Sequence, residues 1–211
     1  MKFKCSIAVV FVFFILLSLF SCKQKTNSTE NTTTSHPEVQ NNKYHSEEIG
    51  WTISIPENWE IVAKDQLENA DKIGEHLIKE NTNVEVDASQ LKHLISFRKD
   101  ELNIFAATAE PFEASYENEY AENNKLINML IYNTFTNQGI QVDSSSGMSK
   151  IGTQEFYQFT NKIYDPEGNL FLTQTLYSQQ INGYDFAINL AYDNEEDKAV
   201  MLSALENSVF E

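Results

Sequence analysis

An apolar run from Ile7 to Phe20, broken once by Ser18, follows the basic start Met1-Lys2-Phe3-Lys4 and stops at Cys22. It is shorter than the roughly 20 residues that span a bilayer comfortably. A basic start followed by a short apolar stretch is the layout of a secretory signal, and residues 1–21 are read as that signal. Much follows from this. The 211 residues include two cysteines, Cys5 and Cys22, and Cys5 leaves with the signal. Cys22 then stands alone at the first position of the mature chain. An intrachain disulfide, a zinc cluster and a Cys-x-x-Cys redox pair are excluded, so an exported domain of this kind rests on its core. The composition can supply one: 41% of residues are hydrophobic, with 14 Phe and 9 Tyr.

The residues around the cut, Leu19-Phe20-Ser21-Cys22, resemble a lipobox. The resemblance implies diacylglycerol on the Cys22 thiol, cleavage before Cys22 and acylation of the new amine with a fatty acid such as palmitate. The expectation is a bacterial lipoprotein tied to a membrane through Cys22, in the cell envelope and on the outer membrane facing the periplasm. The other reading is an uncleaved membrane helix with an incidental cysteine.

Residues 22–43 are read as anchor and tether. Lys23 to Lys43 is almost wholly Asn, Thr, Ser, Gln and charge, with Val39 its only aliphatic residue. Such a stretch buries too little apolar surface to offset the entropy of ordering. As a coil its reach is about 25 Å. Loss of Lys2 and Lys4 lowers the 15 basic residues to 13 against 31 acidic ones, a net −18. That surface repels phosphate backbones, which argues against nucleic acid, and it disfavours polybasic docking on anionic lipid.

The folded domain is assigned to residues 44–211. Trp51, Ile53 and Ile55 alternate with polar residues as in a half-buried strand. Pro56-Glu57-Asn58 turns the chain, and Trp59 to Val62 reads as the returning strand. Asp65 to Glu80 reads as a helix with a stripe of Leu67, Ala70, Ile73 and Leu77. Leu94–Arg98 and Ile104–Ala109 read as strands joined by a hairpin connection. A second helix runs from Ala121 to Gln138, with Ile127, Leu130, Ile131 and Phe135 in its stripe and Gly139 as its stop. A meander follows: Glu155–Tyr164, Leu170–Tyr177, the turn Asn182-Gly183, then a strand in which Tyr184, Phe186, Ile188, Leu190 and Tyr192 form one buried face. Asp193 or Asn194 caps a last helix with Val200, Met201, Ala204 and Leu205 on its apolar side.

Clustered hairpins with interspersed helices predict an α+β fold, an antiparallel β-sheet with flanking helices. Gly-Trp-Thr-Ile-Ser-Ile-Pro-Glu-Asn-Trp-Glu at 50–60 and Gly-Tyr-Asp-Phe-Ala-Ile at 183–188, before an acidic-capped helix, resemble the PsbP-like family. Its members are mostly non-enzymatic: photosystem extrinsic subunits, a Ran-binding import factor and bacterial lipoproteins. The resemblance therefore implies docking more than catalysis, and no functional residue of the family maps onto this chain.

The residues themselves offer no catalytic set, cofactor site or metal site. His36, His45, His76 and His93 have no metal-ligand spacing, and His76 with Glu80 reads as a solvated pair. Ser144, Ser145 and Ser146 read as a turn. Asp165 with Glu167 and Asn169, and the run Asp193 to Asp197, carry oxygen ligands for calcium, but their plain readings are a hairpin turn and a helix cap. Tyr116 to Tyr120 reads as a solvated loop, and Trp51 and Trp59 as core. The leading expectation is a non-catalytic binding or accessory module for a protein partner in the envelope. The alternative is a small-ligand or cation-binding lipoprotein, and an enzyme ranks last.

Overall fold

The computed structural model describes residues 39–211. The signal, the lipobox, Cys22 and the tether up to residue 38 lie outside the described residues.

In chain order the elements are β1 (Val39–Gln40), β2 (Lys43–Ser46), β3 (Trp51–Ser54), β4 (Glu60–Ile61) and α1 (Lys64–Thr82). Then come β5 (Lys92–Arg98), β6 (Ile104–Pro111), α2 (Glu119–Asn137), β7 (Val142–Ile151), β8 (Gln154–Tyr164), β9 (Leu170–Ile181), β10 (Tyr184–Tyr192), α3 (Glu195–Glu206) and β11 (Val209–Phe210). They form two antiparallel sheets. The large one has the order β4-β5-β6-β10-β9-β8-β7, the small one β1-β2-β3-β11. The expected α+β class, an antiparallel sheet with flanking helices, is what the chain adopts.

Local chemistry places the turns. Asn41-Asn42 and Asn182-Gly183 both have positive φ at the two central positions, the geometry that matches strand twist in a two-residue hairpin. Gly139, at φ 76°, ends α2: its N–H reaches Thr136 C=O, and Ile140 N–H reaches Phe135 C=O, so two terminal carbonyls are satisfied. Asn194 caps α3, its side-chain oxygen accepting from Asp197 N–H at 2.8 Å, and three acids fill the first turn.

The large sheet is covered on both faces. On one face Phe186, Ile188 and Leu190 of β10 meet Trp51, Phe97, Phe105 and Phe156, with Met201 and Leu205 of α3. On the other, Ala187 lies with Phe159, Leu172 and Leu176 beneath Ile78 of α1 and Ile127, Ile131 and Phe135 of α2. Both alternating sets of β10 are therefore buried, against the single buried face expected. Its position between β6 and β9, with layers above and below, overrides the alternation.

Other expectations fail for tertiary reasons. Trp59–Val62 does not return along β3; β4 pairs with β5, at Glu60↔Arg98 and Ile61↔Phe97, in the other sheet. The buried stripe of α1 is Leu67, Ala70, Gly74 and Ile78, while Ile73 is exposed. Ser144–Ser146 lie within β7, not in a turn, because ten consecutive residue pairs with β8 hold them extended. Val39, Gln40 and Lys43, placed in the tether by composition, pair as the outer hairpin of the small sheet. β1, β2 and β7 carry little apolar signal of their own, and β11 is only two residues long; all four take their strand geometry from their neighbours.

Candidate functional site

Two polar regions stand out. The first is an open cleft of about 810 Å³ beside β2 and the start of β5, lined by Gln40, Lys43 to Glu48, and Lys92 to Leu94. Its walls are strand edges. β4 stops alongside Ser96, whose carbonyl accepts from Val62 N–H, so no described strand pairs with Lys92–Ile95 on that side. On the other side, β2 pairs with β1 at Val39↔Tyr44 and Gln40↔Lys43, where the described residues begin, and with β3 from Lys43 to Ser46.

His93, one of the lining residues, is paired with Asp71 behind it. The His93 ring lies 2.8 Å from Asp71 Oδ2 on α1, with the two side chains only 8% and 16% exposed. Burial holds the Asp71 carboxyl above its ordinary range, outweighing the His93 hydrogen bond and charge that act the other way. At the rim, Lys92 donates to Glu48 and lies 5.2 Å from the centre of the Tyr184 ring. His45 Nδ1 sits 2.8 Å from Thr52 Oγ1, which fixes its ring.

The second region lies between the large sheet and the helices. Asp185, 1% exposed, is the register partner of buried Glu110 and accepts from Tyr120 O–H at 2.7 Å. Burial and the Asp185 charge push the Tyr120 hydroxyl far up. Ser178 donates to Asn124, beside a cavity of about 10 Å³, room for one water at most. Further along this face are the buried amides Asn161, Gln174 and Asn189. Both polar atoms of Gln174 and Asn189, and Nδ2 of Asn161, have no hydrogen-bond partner in the structure. An unsatisfied buried amide costs about 1–3 kcal/mol. Gln174→Met keeps the length and removes both orphan atoms. It should raise the urea midpoint by an amount worth about 1 kcal/mol. A fall of that size would mean that the amide is satisfied after all, by internal water.

The residues singled out in the sequence are scattered. His76 and Glu80 are 3.2 Å apart and exposed. Asp165 accepts from Asn169, which with the turn amides lowers its pKa, so that cluster is a closed hairpin turn. Asp193 accepts from buried Asn103 and from Asn194, binding the β5–β6 turn to the α3 cap. Ser144 donates to Asn161 at 2.6 Å. Tyr116 is exposed and donates to Glu122, whereas Tyr120 is largely buried, not solvated. Trp51 and Trp59 are core. Among the described residues no group of three His, Cys, Asp or Glu is arranged to hold a metal ion. Sequence reasoning missed Asp71, Glu110 and Asp185, because each sits in an ordinary helix or strand pattern and meets its partner only across elements.

No protein-family profile matches the chain, and no curated relative matches it. Among solved structures it is similar to cyanobacterial PsbP, CyanoP, from Synechocystis sp. PCC 6803. The TM-score is 0.52 at 11% identity, over 80% of this chain and 91% of that one. The fold is PsbP-like. A protein from Bacteroides thetaiotaomicron VPI-5482 aligns with a TM-score of 0.45 at 14% identity; it covers 82% of this chain, which spans about half, 49%, of that one.

Proposed function

We propose that this chain is a lipid-anchored module of the bacterial cell envelope. It holds a protein partner near the membrane and does not turn over a substrate. The observation that carries this reading is the cleft beside the β5 edge at Lys92–Ile95, which no described strand covers, the form that accepts an extended segment by strand addition. The PsbP-like fold, an accessory rather than catalytic scaffold, supports it. Attachment through Cys22 and the tether, with its reach of about 25 Å, would raise the local concentration of the domain for membrane-bound partners. Outside the cleft the acidic excess favours a basic partner and makes capture sensitive to salt.

The test is crosslinking in the intact envelope followed by mass spectrometry, with Lys92→Glu beside the unchanged chain. The expected outcome is a specific partner whose yield falls about tenfold in the variant. Equal yields would remove the cleft from the account. Turnover in a hydrolase screen that one substitution abolishes would replace binding with catalysis. One observation favours a small-ligand reading instead: 810 Å³ is an ordinary size for a ligand pocket, and its lining includes His93, which Asp71 holds from behind.

A further inference from the structure

β7 ends the large sheet, and its outer edge meets no described strand. Its ten residue pairs with β8 run without a register shift, so the edge is long and regular. Gln141 C=O accepts from Tyr164 N–H at 3.0 Å, one step before the pair Val142↔Ile163. Odd-numbered residues of β7 therefore direct their N–H and C=O groups towards β8. Val142, Ser144, Ser146, Met148 and Lys150 direct theirs outward, and residues 143–148 are exposed.

Edges of this kind are usually blunted by a proline, a bulge or charged side chains. β7 has no proline and no bulge, and its only charges, Asp143 and Lys150, stand near its two ends. Between them lies Ser144-Ser145-Ser146-Gly147-Met148-Ser149, all small side chains except Met148, which is 57% exposed. The outward residues are spaced evenly about Ser146, which is the condition for pairing with a copy of the same strand. An antiparallel second copy with its two-fold axis at Ser146 sets Val142 opposite Lys150, Ser144 opposite Met148 and Ser146 opposite itself. Every outward N–H of either copy then meets a C=O of the other. Moving the axis by one residue leaves Val142 or Lys150 unmatched. On the other face Asp143 falls opposite Ser149 and Ser145 opposite Gly147, so no like charges meet.

We propose that two copies of this chain pair through β7 about a two-fold axis at Ser146 and join their large sheets into one. The contact uses the same edge on both copies, so it closes at two. The serine run then has a role: it keeps the edge polar in water and narrow enough to admit a second backbone. The contact lies at the other end of the large sheet from β5 and its cleft, and it needs no other partner. Each copy carries a net −16, so mutual repulsion opposes the pair and added salt strengthens it. Capture of a basic partner would weaken in salt instead.

Amide hydrogen exchange of the full chain in detergent micelles tests it, read along β7 at several protein concentrations. The N–H groups of Ser145, Gly147 and Ser149 face β8 and should stay protected throughout. Those of Ser144, Ser146 and Met148 should exchange about tenfold more slowly at high concentration than at low, and more slowly still in added salt. Ser146→Pro removes an outward N–H and should abolish that dependence while the β8 ladder stays protected. Ser146→Lys, which sets like charges opposite each other at the axis, should do the same, and it decides the matter if the proline disturbs the odd-numbered amides. Outward amides that exchange as fast as in Ser146→Pro at every concentration would overturn the proposal. Protection independent of concentration would overturn it in a chain that sediments as a monomer and support it in one that sediments as a dimer. Lys92→Glu should leave these rates unchanged whatever it does to a crosslinked partner, so this proposal and the binding reading fail separately.

Discussion

Cys22→Ser should abolish fatty-acid labelling of this chain and leave its precursor uncut. Under the lipobox reading the loss should be complete, because the thiolate that would take the diacylglycerol is gone and the hydroxyl left in its place offers no substitute. Cys5 gives no rescue, since it lies ahead of the apolar run and not at its end. Metabolic labelling with an alkyne fatty acid, read with the migration of the protein on a gel, checks this directly. Equal labelling of both chains would sink the lipobox assignment, and the tether would then have nothing to hang from. The prediction also separates the two readings of the apolar run. An uncleaved helix would keep its mass and its membrane fraction after the change, whereas a lipoprotein would not be processed. Stable anchoring needs more than one acyl chain, so partial modification should show as leakage into the soluble fraction.

Trp51→Ala should cost about 3–5 kcal/mol, the usual range for removing a large buried ring. That is a large part of the roughly 5–15 kcal/mol that holds a domain of this kind. Trp51 is fully buried and lies against Tyr44, Phe105, Phe186 and Phe210. Those rings come from β2, β6, β10 and β11, so one side chain joins the small sheet to the large one. Its indole N–H donates to Ser208 Oγ at 2.9 Å, just before the last strand. Trp51→Phe should therefore recover most of the loss and fall short by about 1 kcal/mol, the net worth of one hydrogen bond. Urea unfolding gives both values. A cost below about 1 kcal/mol for Trp51→Ala would mean that the small sheet is not locked through this ring.

Trp51 also marks how far the sequence could be read. The alternation around it, the paired strands at 94–109 and the meander at 155–192 are strong local patterns, and the structure has all of them. The α2 stripe is likewise intact, since Ile127, Leu130, Ile131 and Phe135 are all buried. What alternation could not supply was the partner of each strand. Trp59–Val62 looked like the second arm of a hairpin, yet its short strand joins the opposite sheet. β7 shows why composition alone misleads: Ser144-Ser145-Ser146-Gly147 has turn chemistry, but a ladder along β8 outweighs it. The cleft was harder still. Asp71 and His93 are 22 residues apart, and nothing local announces that α1 sets one over the other.

The small sheet has one more consequence. It closes only when Val209 and Phe210 pair with Thr52 and Trp51, and Glu211 N–H reaches Gly50 C=O. The bond from Trp51 to Ser208 alone spans 157 residues, so the loop-closure entropy of that ladder falls late in folding. This layer cannot close until residues 208–211 reach Gly50, Trp51 and Thr52. Until then Trp51 has no Ser208 and no Phe210, and β3 keeps an open edge. The small sheet is thus the layer that local folding cannot finish, and an intermediate that lacks it exposes Trp51 and the edge of β3.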